Sequence, residues 1–314
     1  MRLRGSGQQV PAERLAAFRV VLGVFVSSYL VLRSPVFFEL GSRSADRFEP
    51  IGVFRLIDRP LVGWVNSAMV ISGIALAVAA AAGWRFKVVG PLFAIVLLVL
   101  SSHRSSWGQL LHFEHLMVLH AFVVGLSPAA DAWSLDARRR SRAGRTVDAD
   151  AGGDRYGFPL LVASVVVVTT YVIAGIAKLR YGGTGWVAGD TLRNHVAYSA
   201  SRLELLGGWA SPAAALVIDA GWLLVPMAAV SVLIELVAPV ALLGGRWRNG
   251  WVIAAWLMHA GIYALMLVGF PSPLFLVAFA PLFALERWWR RLVVARADLP
   301  FGRWSVRRGP ADRA

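Results

Sequence analysis

Lys178 stands in the apolar stretch YVIAGIAKL (171–179), where Tyr171, Gly175 and Lys178 fall at i, i+4 and i+7 and so share one helical face. A lysine amine in such surroundings is a general base once it is neutral, and a low-dielectric cavity disfavours the ammonium form. Three further groups place polar chemistry inside apolar runs. LLHFEHLMVLH (110–120) carries His112, Glu114, His115 and His120. LIELVAPV (233–240) carries Glu235 four residues before Pro239. Trp256, His259, Tyr263, Met266 and Phe270 recur at intervals of three and four. An ionisable group in a membrane costs at least roughly 2.5–3.5 kcal/mol on insertion scales, so each requires a partner, a water-filled cavity or a function. Tyr171, Glu235, His259, Tyr263 and His112 are therefore candidates to line a ligand cavity.

Each residue also has a plainer role. Lys178, one residue from the end of its apolar run, is placed to snorkel to the headgroups, as is Arg19 at the opposite face. His259 fits a neutral histidine bonded to a neighbouring helix. Glu235 fits a structural partner for an arginine or a backbone break at Pro239. Tyr263, Met266 and Phe270 fit packing, and Gly175 fits close helix approach. Metal is not expected, because H-F-E-H is neither of the zinc spacings H-E-x-x-H and H-x-x-E-H, and Glu114 points about 200° away from His112.

The elements that carry these residues are membrane helices. Of 314 residues, 57% are hydrophobic and 16% charged, against roughly a quarter charged in soluble domains. Apolar runs close to the roughly 20 residues that cross a bilayer recur along the chain. Eight spans are expected, at 15–32, 60–82, 88–101, 110–128, 157–179, 226–244, 250–268 and 271–286. Segment 203–225, with Glu204, Asp219 and Pro212, is a ninth candidate that reads as interfacial or partly inserted. Cysteine is absent, which removes disulfides, thiolate catalysis and iron–sulfur ligation.

The net charge is +14, and all basic residues but Lys87 and Lys178 are arginine. The positives lie in tails and short loops beside apolar runs, where topology and anionic lipids account for them, so nucleic acid is not an expected partner. With eight spans and an internal N-terminus, 21 Lys or Arg fall on the cytoplasmic side and nine opposite. Both termini are then cytoplasmic, and the first span, preceded by Arg2, Arg4 and Arg14, is a retained anchor. The bundle occupies 1–290, with a charged flexible linker at 136–156 between its halves and an Arg-rich cytoplasmic tail at 291–314. This topology places Lys178, His112, Glu114 and His115 at one outer depth, with Glu235 and His259 nearer mid-membrane, so that one externally open cavity is expected to collect them.

The order Tyr171-x-x-Ala174-Gly175-x-x-Lys178-Leu179, then Trp186 and Gly189, then Glu235-x-x-x-Pro239, an Arg-rich turn, His259 and Phe270 resembles the HTTM family. This is the membrane domain shared with vitamin K-dependent gamma-carboxylase. The stretch from His112 through LSPAADAWSLDA (126–137) looks like the same family's fourth-helix region, and the likeness covers roughly 12–290. The resemblance implies that Lys178 is the base that deprotonates a reduced quinone, such as vitamin K hydroquinone or menaquinol. It implies that a histidine of the preceding helix supports that lysine, matched here by His115, or less closely by His112. Two departures follow. Only about 28 residues come after the last expected span, where the animal carboxylase has a large lumenal region, so a protein substrate is not expected. The run Tyr181–Gly185 is a Gly-rich insert between Lys178 and Trp186.

The sequence thus reads as an all-α polytopic bundle of a bacterial cytoplasmic membrane. It reads as a gamma-carboxylase-like enzyme acting on a reduced quinone or another lipophilic small molecule, with membrane lipids as its surroundings. The alternatives are a non-catalytic binding or proton-coupled transport bundle, or a structural subunit whose polar residues fix helix packing.

Overall fold

The computed structural model describes residues 10–108, 112–145 and 154–297. Among these, every regular element is a helix: α1 Ala12–Glu39, α2 Gly63–Ala82, α3 Phe86–Ser105, α4 His112–Gly125, α5 Leu135–Arg142, α6 Gly157–Ala177, α7 Gly183–Val187, α8 Asp190–Leu205, α9 Pro212–Asp219, α10 Leu224–Leu236, α11 Gly245–Met266, α12 Pro271–Leu274 and α13 Leu285–Ala297. Four of them, α1, α2, α3 and α6, are long and apolar enough to cross a membrane. The count is five if α9 and Gly221–Leu236, bent by 91° at their junction, form one span.

Eight continuous helical spans are therefore not confirmed, and proline is much of the reason, because it lacks the amide proton a helix interior needs. Expected span 226–244 is helix only to Leu236 and continues past Pro239 as a tighter 3-10 turn, Ala238–Leu243. Expected span 271–286 becomes the four-residue α12 and a second 3-10 turn, Val277–Leu282, in a stretch holding Pro271, Pro273 and Pro281. Its residues Val277, Ala278, Phe279 and Ala280 are buried in the bundle. Of segment 203–225, residues to Leu205 end α8, and the short α9 precedes the bend. In the expected linker 136–156, residues up to Arg142 belong to α5, and 146–153 lie outside the described residues. Of the expected tail, α13 includes residues to Ala297 and 298–314 lie outside them.

One end of the bundle is tied by polar contacts. Asp136 accepts the backbone N–H groups of Arg85 (2.9 Å) and Phe86 (2.7 Å), which satisfies two free donors at the start of α3. Ser134 caps α5 by accepting from the Ala137 amide at 2.8 Å. Arg19 does not snorkel. It is 1% exposed and donates to the carbonyls of Ala129 (2.8 Å), Ala132 (3.3 Å) and Trp133 (2.5 Å), filling the acceptors that follow α4. Gly83, at φ +62, is required beside it, since a Cβ there would lie 2.4 Å from Ser134 Cβ and 2.8 Å from the Arg19 guanidinium. At the same end Arg14 pairs with Glu286 at 2.9 Å and Arg290 with Glu13 at 3.1 Å, so α13 docks beside the start of α1.

Two buried apolar clusters sit on this base. The larger joins α1, α2, α3 and α4 with the first turns of α6. The smaller joins the later turns of α6 with α11 and the two 3-10 turns. α6 therefore runs from one cluster into the other, and its last turns reach the site described next.

Candidate functional site

Beyond Val168, one face of α6 carries Thr170, Tyr171, Ala174 and Lys178, which form one wall of a cavity of about 890 Å³. α8, α10, α11 and residues 270–273 form the others, and Leu116 of α4 reaches the same space. Most of the lining is aliphatic or thioether, including Met227, Val230, Ile234, Leu257, Met258 and Ile262.

At one end of the cavity Lys178 Nζ lies 2.7 Å from Glu235 Oε1, with side-chain exposures of 19% and 7%. The same ammonium stands 4.8 Å from the centre of the Trp186 ring, a cation–π distance. The chain turns there: α6 stops at Ala177 and Lys178–Gly182 form a wider π-type turn, a geometry frequent at functional positions. That turn and the short α7 bring Trp186 back over Lys178. Two glycines permit the arrangement. A Cβ on Gly175 would lie 2.9 Å from Leu236 Cδ2 and 3.1 Å from Glu235 Cβ, so glycine lets α10 approach α6 closely enough for the ion pair. Gly189 holds φ +85, and a Cβ there would lie 3.0 Å from the Leu224 and Val225 backbone. The spacing from Gly175 through Lys178 and Trp186 to Gly189 is thus a geometric requirement of this pair.

The cavity wall also holds buried polar atoms for which the described residues supply no hydrogen-bond partner: Trp186 Nε1, Glu235 Oε2 and Ser272 Oγ. A donor and an acceptor therefore flank the Lys178 amine. Burying such groups unsatisfied is costly, which marks this end as a place for polar ligand atoms.

The residues expected from the sequence separate into those gathered here and those that are not. Lys178, Tyr171, Glu235 and His259 all line the cavity. His259 Nδ1 donates to the Ala255 carbonyl at 2.8 Å, and its ring packs edge-on against Tyr171 (5.7 Å) and Phe270 (5.1 Å). Tyr263 is not gathered. It is half exposed, because the cavity-lining positions of α11 centre on Gly261 and Leu265 and position 263 is nearly opposite at 100° per residue. His115 is likewise not brought to Lys178. It is exposed on α4, and the lysine takes Glu235 as partner instead. Of His112, α4 includes the backbone and the side chain lies outside the described residues.

Glu114 belongs to a different cluster. It is fully buried, pairs with Arg104 at 2.5 Å and accepts from the Tyr29 hydroxyl, joining α1, α3 and α4 within the larger apolar cluster. One cavity does not collect all the polar residues; two separate groups share them. Sequence reasoning missed the α8 wall. His195, Tyr198, Ser199 and Arg202 line the cavity at i, i+3, i+4 and i+7, a helical stripe visible in the sequence but polar enough to escape a search for apolar spans.

A helical membrane protein with an apolar chamber and a lysine–carboxylate pair at one end is the class that fold and site define. The chain belongs to the HTTM domain family, whose profile matches residues 8–288. This membrane domain family is associated with vitamin K-dependent carboxylase. No curated protein and no solved structure matches the chain.

Proposed function

We propose that this protein is a membrane enzyme of the gamma-carboxylase-like type, in which Lys178 removes a proton from a lipophilic substrate, a reduced quinone in the first instance. One observation carries the reading: at one end of an apolar chamber the Lys178 amine is flanked by an unspent donor, Trp186 Nε1, and an unspent acceptor, Glu235 Oε2. A flat ring bearing hydroxyl groups fits such a lining. Its body takes the aliphatic walls, and a hydroxyl meets both a donor and an acceptor.

When bound, the quinol would supply an acidic O–H and the electrons that reduce oxygen. The rest falls to the chain. Lys178 and Glu235 form a pair whose net charge stays zero whether they are ammonium and carboxylate or amine and carboxylic acid. In a low dielectric the exchange between these forms needs only a proton shift along the 2.7 Å contact. The amine form accepts the substrate proton at Nζ. Trp186 Nε1–H then donates to the oxygen left behind, and the aliphatic walls keep water from competing. Tyr171 and His259 hold the cavity floor through their ring contacts with each other, Trp251 and Phe270.

The test is purification in a mild detergent from cells that make quinones. A quinone is expected at near one equivalent per chain, and it should be displaced when bulk is added at Gly261. That residue lines the cavity, and a Cβ there meets nothing within 4 Å. A quinone-free protein that also fails to take up added quinol would remove the proposal.

We further propose that the end of the bundle holding the start of α1, α5 and α13 faces the cytoplasm, since α5 and α13 carry Arg138, Arg139, Arg140, Arg142, Arg287, Arg290 and Arg291 there. Reporter fusions at residue 145 and after residue 314 are expected to be cytoplasmic. Opposite sides for the two would contradict both this orientation and the docking of α13 beside α1.

A further inference from the structure

We infer that the cavity accepts an amphiphile with one apolar chain and one anionic group, a carboxylate or phosphate that Arg202 of α8 binds. This rests on reading the cavity as the substrate site and names the class of molecule that occupies it.

Charged and titratable groups face the cavity from each wall. α6 contributes Lys178, α8 contributes His195 and Arg202, α10 contributes Glu235 and α11 contributes His259. The one carboxylate among them is taken by Lys178 at 2.7 Å. Among the described residues no acidic side chain pairs with Arg202. Glu204, two residues on, lies about 200° around the helix and does not line the cavity. Counting formal charges with both histidines neutral, the lining carries an excess of one positive charge, and that charge belongs to Arg202.

The surroundings decide what this cation is for. Arg202 is exposed and lines the cavity, so its guanidinium is free to meet a ligand's anionic group. A guanidinium presents a planar fork that binds carboxylate or phosphate through two parallel bonds. Tyr198 and Ser199 stand within about a turn of Arg202 on the same stripe of α8 and add hydroxyl groups beside it, while His195 lies by Trp186, ring to ring at 5.9 Å. Much of the remaining lining, with Met227, Val230, Leu257 and Ile262, is apolar and suits an acyl or prenyl chain. A ligand matching this lining has its acid at Arg202 and its chain along the chamber.

The experiment uses the full chain in phosphatidylcholine nanodiscs, with empty nanodiscs subtracted, and compares radiolabelled palmitate with hexadecanol. The acid is expected to bind about tenfold or more tighter than the alcohol, the scale of one charge-assisted bidentate contact. Arg202→Gln should abolish that preference while hexadecanol binds as before, which shows that the cavity itself persists. Gly261→Phe should weaken both ligands. Excess acetate and inorganic phosphate, added separately, should fail to displace palmitate.

Equal affinity for acid and alcohol, no binding of either, or an acid preference that survives Arg202→Gln would each overturn the inference. Displacement by the free anions would do so as well, by reducing the site to an anion subsite with no use for a chain. The quinol reading fails separately. A quinone that co-purifies with the unsubstituted protein, beside equal affinity for acid and alcohol, removes the amphiphile and leaves the base; bound palmitate without any quinone does the reverse.

Discussion

Lys178→Arg is expected to yield a folded, inserted protein that still binds quinol but loses quinol-dependent oxygen uptake by about 100-fold to 10,000-fold, the range that general base catalysis contributes. The substitution is chosen because arginine can keep what the structure builds around the position. A guanidinium can pair with Glu235 and lie against the Trp186 ring, where the ammonium now sits at 2.7 Å and 4.8 Å. What it cannot do is give up a proton under protein conditions, so the neutral form of the pair disappears. Lys87→Arg provides the control, since Lys87 is exposed at the opposite end of the bundle. Oxygen uptake at the unsubstituted rate in the Lys178→Arg protein, with quinol still bound, would leave Lys178 as a structural or interfacial cation.

Much of this site was legible before any coordinates, and the reasons are local. Tyr171, Gly175 and Lys178 share a face because a helix repeats every 3.6 residues, and the structure uses that face as one wall and one contact. The glycines at 175 and 189 were part of the motif, and packing now explains them: neither position has room for a Cβ without moving a neighbouring chain. What depth along a helix could not supply was azimuth. Glu114 and His115 are adjacent and so about 100° apart around α4. Burying Glu114 against Arg104 turned His115 outward, and the expected histidine–lysine pair became a lysine–glutamate pair. The same loss of azimuth placed Tyr263 in a stripe with His259, although it faces away from the chamber.

The count of eight spans is not confirmed, for another reason. Hydropathy windows register apolar content and not continuity, so runs interrupted by Pro239, or by Pro271, Pro273 and Pro281, counted as helices that the backbone does not form. They also pass over α8, whose stripe of His195, Tyr198, Ser199 and Arg202 is amphipathic. The wall that supplies the unpaired cation of the chamber was thus the least apparent one in a search for membrane spans.

The largest loss of stability is expected from Arg104→Met. Glu114 has no exposed side-chain surface, and Arg104 supplies its countercharge at 2.5 Å with 13% exposure, while Tyr29 donates to the same carboxylate. Removing one partner of such a pair leaves a charge in a low dielectric, an effect of about 3–5 kcal/mol where it has been isolated. Here the loss would fall on the contacts that join α1, α3 and α4, so SDS-driven unfolding should begin at a markedly lower detergent fraction. Adding Glu114→Gln to Arg104→Met removes the stranded charge but keeps an acceptor for Tyr29, and should recover part of the loss. The comparison separates two uses of buried charge in one membrane. In the Arg104–Glu114 pair the ions hold helices together, and neutralising both together is the milder change. In the Lys178–Glu235 pair the carboxylate lines a cavity, and there the loss expected from substitution is one of rate. A double variant no more stable than Arg104→Met alone would show that the cost lies in lost packing of the arginine stem, for instance against Phe37, whose ring lies 5.3 Å from the guanidinium.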